Sequence, residues 1–272
     1  SFYFYQLVKI EGQRMVLNDS SDERSGQRWI AERYATHGRF VSDLAEPLID
    51  LLNPKPNELI LDLGCGDGAL TQKIALLGTR VIGVDSSLDQ ILATQKREVS
   101  ALVMDGHKLG FKSVFDGILT NAALHWMVEP SSVIDGLRDS LKFGGRLVGE
   151  MGGVGNIATI IGALTESMKS RKLENEFIFP WYFPETKEYQ KLLETHGFVV
   201  KFIQLIKRPT PLPGDISGWL QTFGEPFLFA LSFEDRKEFV SEVTSKLKPI
   251  LYDPHGKWVA DYVRLRFLAV RN

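Results

Sequence analysis

Residues 59–68 read Leu59-Ile60-Leu61-Asp62-Leu63-Gly64-Cys65-Gly66-Asp67-Gly68. A short, mostly apolar run enters three glycines at alternate positions, and a helical pattern over 70–77 follows. A strand that enters a glycine turn and leaves as a helix opens a βαβ unit, and its glycines let a ligand approach the backbone closely. Working outward, strand signals at 80–84, 101–104, 115–120 and 146–150 alternate with helical patterns over 88–97 and 131–141, the latter punctuated by Gly144 and Gly145. Short buried strands separated by helices predict an α/β fold with a mostly parallel sheet covered on both faces. Right-handed crossovers make that sheet Rossmann-like and doubly wound.

Upstream, residues 1–28 form a polar leader containing Asn18-Asp19-Ser20-Ser21-Asp22. The pattern turns helical from Trp29. Leu44, Leu48, Leu51 and Leu52 recur at helical spacing until Pro54 and Pro56 stop them. Downstream, a helix over 187–196 ends at Gly197 and a strand over 198–206 follows. Three prolines and a glycine then break the pattern at 209–216. An interrupted helical stretch over 219–251 and a last strand over 258–270 complete the chain. This organisation predicts a leader at 1–28 and one domain at 29–272, with a cap insert at about 213–256.

Of the 272 residues, 44% are hydrophobic and 24% charged, with a formal net charge of −2. That balance lacks the clustered basic charge of a nucleic-acid binder. No run approaches the ~18 apolar residues of a membrane span. The aromatic start, Ser1-Phe2-Tyr3-Phe4-Tyr5, is not read as a signal peptide. One cysteine, Cys65, excludes an intrachain disulfide, and no Cys/His cluster suggests a metal. A cytoplasmic protein fits this usage.

Glycine spacing and charge select the ligand. The third glycine comes one residue earlier than in the dinucleotide fingerprint, which disfavours a nicotinamide oxidoreductase. Asp62 and Asp67 set negative charge beside the loop, which repels a pyrophosphate and attracts an ammonium group. S-adenosylmethionine carries an ammonium and a sulfonium and no phosphate. Asp85, 23 residues after Asp62, ends the second strand, where an acid accepts from ribose hydroxyls. Asp105 and Gly106 end the third strand, where an adenine amino group is read. Each acid alone also suits a helix cap.

These residues resemble the class I S-adenosylmethionine-dependent methyltransferases. The resemblance rests on Asp62-Leu-Gly-Cys-Gly-Asp-Gly68, Val84-Asp85-Ser86, Met104-Asp105-Gly106, Phe115-Asp116 and Leu141-Lys-Phe-Gly-Gly145, the last with Phe143 where the family usually has proline. A narrower resemblance, to the branch containing trans-aconitate methyltransferase, lies in Tyr34-Ala-Thr-His-Gly-Arg-Phe-Val41, Asn121-Ala-Ala-Leu-His-Trp126 and Glu150-Met-Gly-Gly-Val-Gly-Asn156. Trp219-Leu-Gln-Thr-Phe and 264–270 are also similar to that branch. The resemblance implies a seven-stranded sheet with an antiparallel last strand. It also implies an active site covered by the N-terminal helix and the insert.

For the cofactor, Asp62, Gly64, Cys65, Gly66, Asp85, Ser86, Asp105, Gly106, Asn121 and Ala122 are the expected contacts, with S-adenosylhomocysteine as the product. Methyl transfer from a sulfonium needs placement above all. A carboxylate acceptor needs no base, whereas a hydroxyl or amine does. His125 is a candidate base or hydrogen-bond donor, against a structural histidine packed on Trp126. Tyr34 and His37 are further catalytic candidates on the N-terminal helix. Trp126, Glu150, Asn156 and Arg264 are candidate acceptor contacts, against a surface role for Arg264. The aromatic stretch 177–183 suits core packing and permits an apolar acceptor. A small-molecule methyltransferase, with a carboxylate oxygen as the candidate acceptor, is the reading carried forward. A lipid-modifying relative of the cyclopropane-fatty-acid synthase type and a non-catalytic cofactor-binding module are the alternatives.

Overall fold

The computed structural model describes Gln27, Trp29 and residues 45–272. The leader apart from Gln27, together with Tyr34, His37 and Leu44, lies outside these residues. Seven strands form one sheet: β1 (Leu59–Leu63), β2 (Arg80–Asp85), β3 (Ser100–Val103), β4 (Phe115–Asn121), β5 (Leu141–Gly152), β6 (Phe198–Pro211) and β7 (Val259–Arg271). Their order is β3-β2-β1-β4-β5-β7-β6. β1 to β5 pair in parallel, and β7 runs antiparallel to both β5 and β6. The mostly parallel sheet with an antiparallel last strand is therefore the observed one.

Helices flank the sheet: α1 (Glu46–Leu52), α2 (Ala69–Ala75), α3 (Leu88–Gln95), α4 (Pro130–Ser140), α5 (Ala158–Ser170), α6 (Thr186–Thr195), α7 (Ile216–Phe223), α8 (Glu225–Phe229) and α9 (Phe233–Leu251). Alternate strand residues serve alternate faces. Ile60, Leu119 and Val148 pack with α1 and α2 through Leu48, Leu52, Leu70 and Ile74. Leu61, Ile118, Leu147 and Phe267 pack on the other face with Val133 and Leu137 of α4 and Tyr189 and Leu193 of α6. A third cluster joins α5, α7, α8 and α9 to Ala260 and Tyr262 at the start of β7.

Two family motif pieces hold the end of the sheet opposite the glycine loop. Asp116 accepts from Leu59 N–H at 2.9 Å and from Lys142 Nζ at 2.6 Å. Arg146 forks onto Glu58 at 2.6 and 2.9 Å and also donates to the Leu52 carbonyl. Glu58 and Arg146 thereby tie the end of α1 to the sheet.

Three elements depart from the sequence reading. β6 continues through Pro209 and Pro211, where the prolines predict a break. β6 ends the sheet, and prolines two residues apart turn the same side outward, where no ladder bond is required. Thr210 between them is buried and pairs with Ala260. β5 begins at Leu141 rather than 146, because a register shift between Phe115 and Gly117 absorbs the glycine pair. α5 has no counterpart in the sequence reading, although its buried Ile160, Ala163, Leu164, Ser167 and Met168 have helical spacing. No helix among the described residues is long and apolar enough to cross a membrane.

Candidate active site

β1 delivers the chain into the glycine turn at the C-terminal edge of the sheet. Gly64 and Cys65 both donate N–H to the Val84 carbonyl, at 2.7 and 3.0 Å, which pins the turn to β2. Gly64 and Gly68 have φ of +72° and +76°, where a side chain is strained. A methyl group at Gly64 would lie 2.2 Å from Cβ of Ala123, and one at Gly68 would lie 2.6 Å from Thr94 of α3. The early third glycine thus lets the start of α2 pack on α3. The Gly64–Ala123 approach sets the turns after β1 and β4 side by side, at the point where the strand order reverses. Open α/β sheets bind ligands at this switch point.

The acids divide by environment. Asp85 accepts from Gly66 N–H at 3.0 Å and from Ser87 N–H at 2.9 Å, beside the turn. Burial raises its pKa against those bonds. Asp62 is 1% exposed beneath the turn and accepts from Thr71 Oγ of α2 at 2.7 Å. Burial pushes its carboxyl up to about 7, opposed by the Thr71 bond and reinforced by the Asp85 charge. Asp67 pairs with Arg97 at 2.6 Å and accepts from Ala69 N–H. The repulsion expected from Asp62 and Asp67 is therefore corrected. Asp62 is buried beneath the turn and Asp67 is neutralised by Arg97, so the acid that stands at the turn itself is Asp85.

Cys65 is buried, and desolvation followed by the Asp62 and Asp85 charges pushes its thiol pKa up. It packs so closely on Gly83 that a methyl group there would lie 2.9 Å from its sulfur. Ser86 is exposed at the end of β2. Asp105 caps the short helix Gly106–Lys108, accepting from His107 N–H at 2.9 Å, with the His107 ring also at 2.9 Å. Burial works against its charge, yet the His107 bonds hold its pKa below the ordinary value. Gly106 is buried against Met127.

After β4, Asn121 and Ala122 lead into a short helix, Leu124–Trp126. Ala122 is left-handed at φ +56°, and its N–H donates to the Glu150 carbonyl at 2.7 Å. His125 is buried, and Gly152 N–H donates to its Nδ1 at 3.3 Å. That bond leaves the ring hydrogen on Nε2. Burial, with the positive charge of Arg264 second, holds the His125 pKa well below 6.5. His125 is thus a neutral imidazole whose remaining capacity is to donate.

Arg264 is 6% exposed, not a surface residue, and its guanidinium lies 4.3 Å from the centre of the Tyr262 ring. Tyr262 OH accepts from Trp219 Nε1 at 2.6 Å. Asn156 Oδ1 accepts from Val263 N–H at 2.9 Å, so the amide NH2 is what it can present. His125, Trp126, Asn156, Tyr262 and Arg264 line one cleft with Trp29, Ala122, Ile157, Trp181, Phe183, Trp219 and Phe223. About 420 Å³ of space lies between these residues, the open solvent at the mouth included. Gly152 makes room there, since a methyl group at that position would lie 2.3 Å from Phe183.

Glu150 is not among these residues, contrary to the sequence reading. It is 3% exposed and bound by Arg208 at 2.6 and 2.8 Å and by Arg266 at 2.7 Å. Its two ion pairs consume the carboxylate in the sheet. The sequence reading also passed over Trp181, Phe183, Trp219 and Tyr262 as site residues. The one-turn spacing of Trp219 and Phe223, and the two-residue spacing of Tyr262 and Arg264 on a strand, were the available signals.

Residues 61–149 match a family model described as a methyltransferase domain. An uncharacterized methyltransferase of Schizosaccharomyces pombe is 34% identical over 254 residues, covering 89% of this chain and 97% of that protein. A ubiquinone biosynthesis O-methyltransferase of Cereibacter sphaeroides is 25% identical, over 81% of this chain and 83% of its own. Among solved structures, a phosphoethanolamine N-methyltransferase of Haemonchus contortus with S-adenosylhomocysteine shares the fold, with a TM-score of 0.54 and 19% identity. That match covers 85% of this chain and 52% of the other. With near end-to-end likeness to one methyltransferase added to a glycine turn at the switch point of this sheet, the chain belongs to the class I S-adenosylmethionine-dependent methyltransferases.

Proposed function

We propose that this methyltransferase acts on a small molecule, at a carboxylate oxygen held in the cleft of His125, Asn156 and Arg264. The supporting observation is that the polar side chains among the described lining residues offer donors and no base. Nδ1 of His125 is committed to Gly152 N–H, so Nε2–H faces outward as a donor. Asn156 brings its amide NH2 to the cleft and Arg264 its positive charge, and neither group is a base. A hydroxyl or amine acceptor has to lose a proton, whereas a carboxylate arrives ionised. Arg suits it by geometry as well as charge. This acceptor class agrees with the trans-aconitate methyltransferase branch that the chain resembles. An oxygen acceptor also agrees with the name of the ubiquinone-pathway relatives.

The glycine turn fits S-adenosylmethionine, because a Cβ at Gly64 would fill the approach to the backbone. In this reading Gly64, Cys65 and Gly66 take the methionine end with Asn121 and Ala122, above Asp62. Asp85 and Ser86 take the ribose, and Asp105 and Gly106 the adenine. When bound, the cofactor supplies a methyl group already activated on a sulfonium. The chain's own contribution is placement and the exclusion of water by Trp126 and its aromatic neighbours. The helices between β6 and β7 then act as the cap of a single domain.

The test is a methyl-acceptor panel of small acids against matched alcohols, amines and phospholipids. Turnover of acids is expected, and turnover confined to the other classes ends the proposal. His125→Asn is expected to retain the pH profile of the parent enzyme, since His125 is not the base.

A further inference from the structure

Ser87 lies two residues past Asp85 and caps α3, where its Oγ accepts from Gln90 N–H at 3.4 Å. A hydroxyl also carries one proton, and Ser87 donates it to the Trp29 carbonyl at 3.1 Å. That bond spans 58 residues of sequence and ties Trp29 to the end of β2. Resting on the donor assignment above, we infer that Ser87 is a positioning residue that couples the donor site to one wall of the acceptor cleft, the ring of Trp29. Ser86, the serine that the sequence marks for the donor, is exposed, and its neighbour makes the connection.

The link runs on from both partners. On the donor side, Asp85 accepts from Gly66 N–H at 3.0 Å through one oxygen and from Ser87 N–H at 2.9 Å through the other. Ribose hydroxyls brought to this carboxylate share it with Ser87 N–H, so a donor bound there acts directly on the Ser87 backbone. On the cleft side, the Trp29 indole meets Trp126 edge to face at 4.9 Å and Phe223 at 6.2 Å, and all three residues line the cleft.

A shift at Ser87 has to be taken up by the Trp29 ring, because the chain is held again two residues earlier. Gln27 is 6% exposed and donates from Nε2 to the Thr222 carbonyl of α7 at 3.0 Å. Trp29 is therefore strung between α7, beside Phe223, and the cap of α3. A hydroxyl-to-carbonyl bond is worth roughly two- to tenfold in an equilibrium. That is the scale of the coupling, and linkage makes it reciprocal. The donor sets the indole, and an indole set against Trp126 holds the donor. The acceptor then meets a finished wall only when the methyl group is already in place.

The experiment uses the full chain with S-adenosylhomocysteine as the probe. Calorimetry reads its Kd. Circular dichroism reads the exciton band of paired indoles, and the part lost in Trp29→Phe reports Trp29 against Trp126. Saturating S-adenosylhomocysteine is expected to change that part, with its midpoint at the calorimetric Kd. Ser87→Ala is expected to abolish the change and to weaken binding roughly two- to tenfold. Ser87→Thr keeps the hydroxyl and is expected to restore both. Ser87→Asp keeps a capping oxygen without the donor proton, so loss of the response in this variant separates the link from the stability of α3. Binding by the parent with no change in the Trp29 signal overturns the inference and leaves the donor assignment standing. So does a change that survives in Ser87→Ala and Ser87→Asp, or one that Ser87→Thr fails to restore. A parent that does not bind S-adenosylhomocysteine removes the donor assignment and this inference together.

Discussion

Asp62→Asn isolates one buried carboxyl. In the native protein burial lifts this group from the ordinary 3.8 to about 7. Folding therefore favours its protonated form. The unfolded chain releases that proton above pH ~4, and the native chain holds it until about 7. The stabilising contribution is complete below the unfolded value and drains away as the pH rises through the folded one. A difference of this size corresponds to at most about 4 kcal/mol between pH ~4 and pH ~8. Asparagine has nothing to ionise, and its amide oxygen can still accept from Thr71 Oγ. The stability of the variant relative to the parent should therefore rise by roughly 2–3 kcal/mol between pH 5 and pH 8. Urea unfolding at both pH values, followed by circular dichroism and by tryptophan fluorescence, measures this. If the substitution shifts stability equally at both, the Asp62 carboxyl is not the group that titrates, and the assignment of burial as the dominant cause fails.

Three further outcomes follow from the same geometry. Asp85→Ala should weaken S-adenosylhomocysteine binding by roughly 1–3 kcal/mol, the loss of a charged hydrogen-bond acceptor, and an unchanged Kd by calorimetry would remove Asp85 from the cofactor site. Glu150→Gln leaves Arg208 and Arg266 without their counter-charge in the sheet and should cost about 3 kcal/mol of stability, with cofactor affinity unchanged; a thermal melt superimposable on the parent would contradict it. Gly64→Ala combines a left-handed backbone with a clash on Ala123 and should lose more than about 2 kcal/mol in denaturant unfolding. Full stability in that variant would show that the turns after β1 and β4 are not in contact.

Much of the sheet was legible because its strands are buried on both faces. Leu59 to Leu63 reads as an apolar run interrupted only by Asp62, as suits a central parallel strand. Pro209 and Pro211 misled because an edge position is a property of the whole sheet, invisible in the local pattern. α5 was hidden because Gly153, Gly155 and Asn156 precede it and read as loop, while Ile157 starts it from a left-handed conformation. At the site, the acids at strand ends were found from spacing alone, but their charge states were not. Asp67 is neutralised by Arg97, thirty residues on, and Glu150 by two arginines from β6 and β7. His125 stood out as a candidate, yet the Gly152 N–H that sets its tautomer carries no side chain and so leaves no mark in composition.

The reversed direction of β7 divides the proposed donor and acceptor sites between two lengths of chain. An antiparallel last strand brings its opening residues, Tyr262 and Arg264, to the edge where the parallel strands finish. Asn156, Trp181, Trp219 and Arg264 all lie beyond the 61–149 stretch shared with the wider methyltransferase domain. Substitutions in the later length can re-shape the cleft while the glycine turn, Asp62 and Asp85 stay as they are. On the proposed assignment, a lineage built this way can exchange acceptors in small steps while keeping its methyl donor.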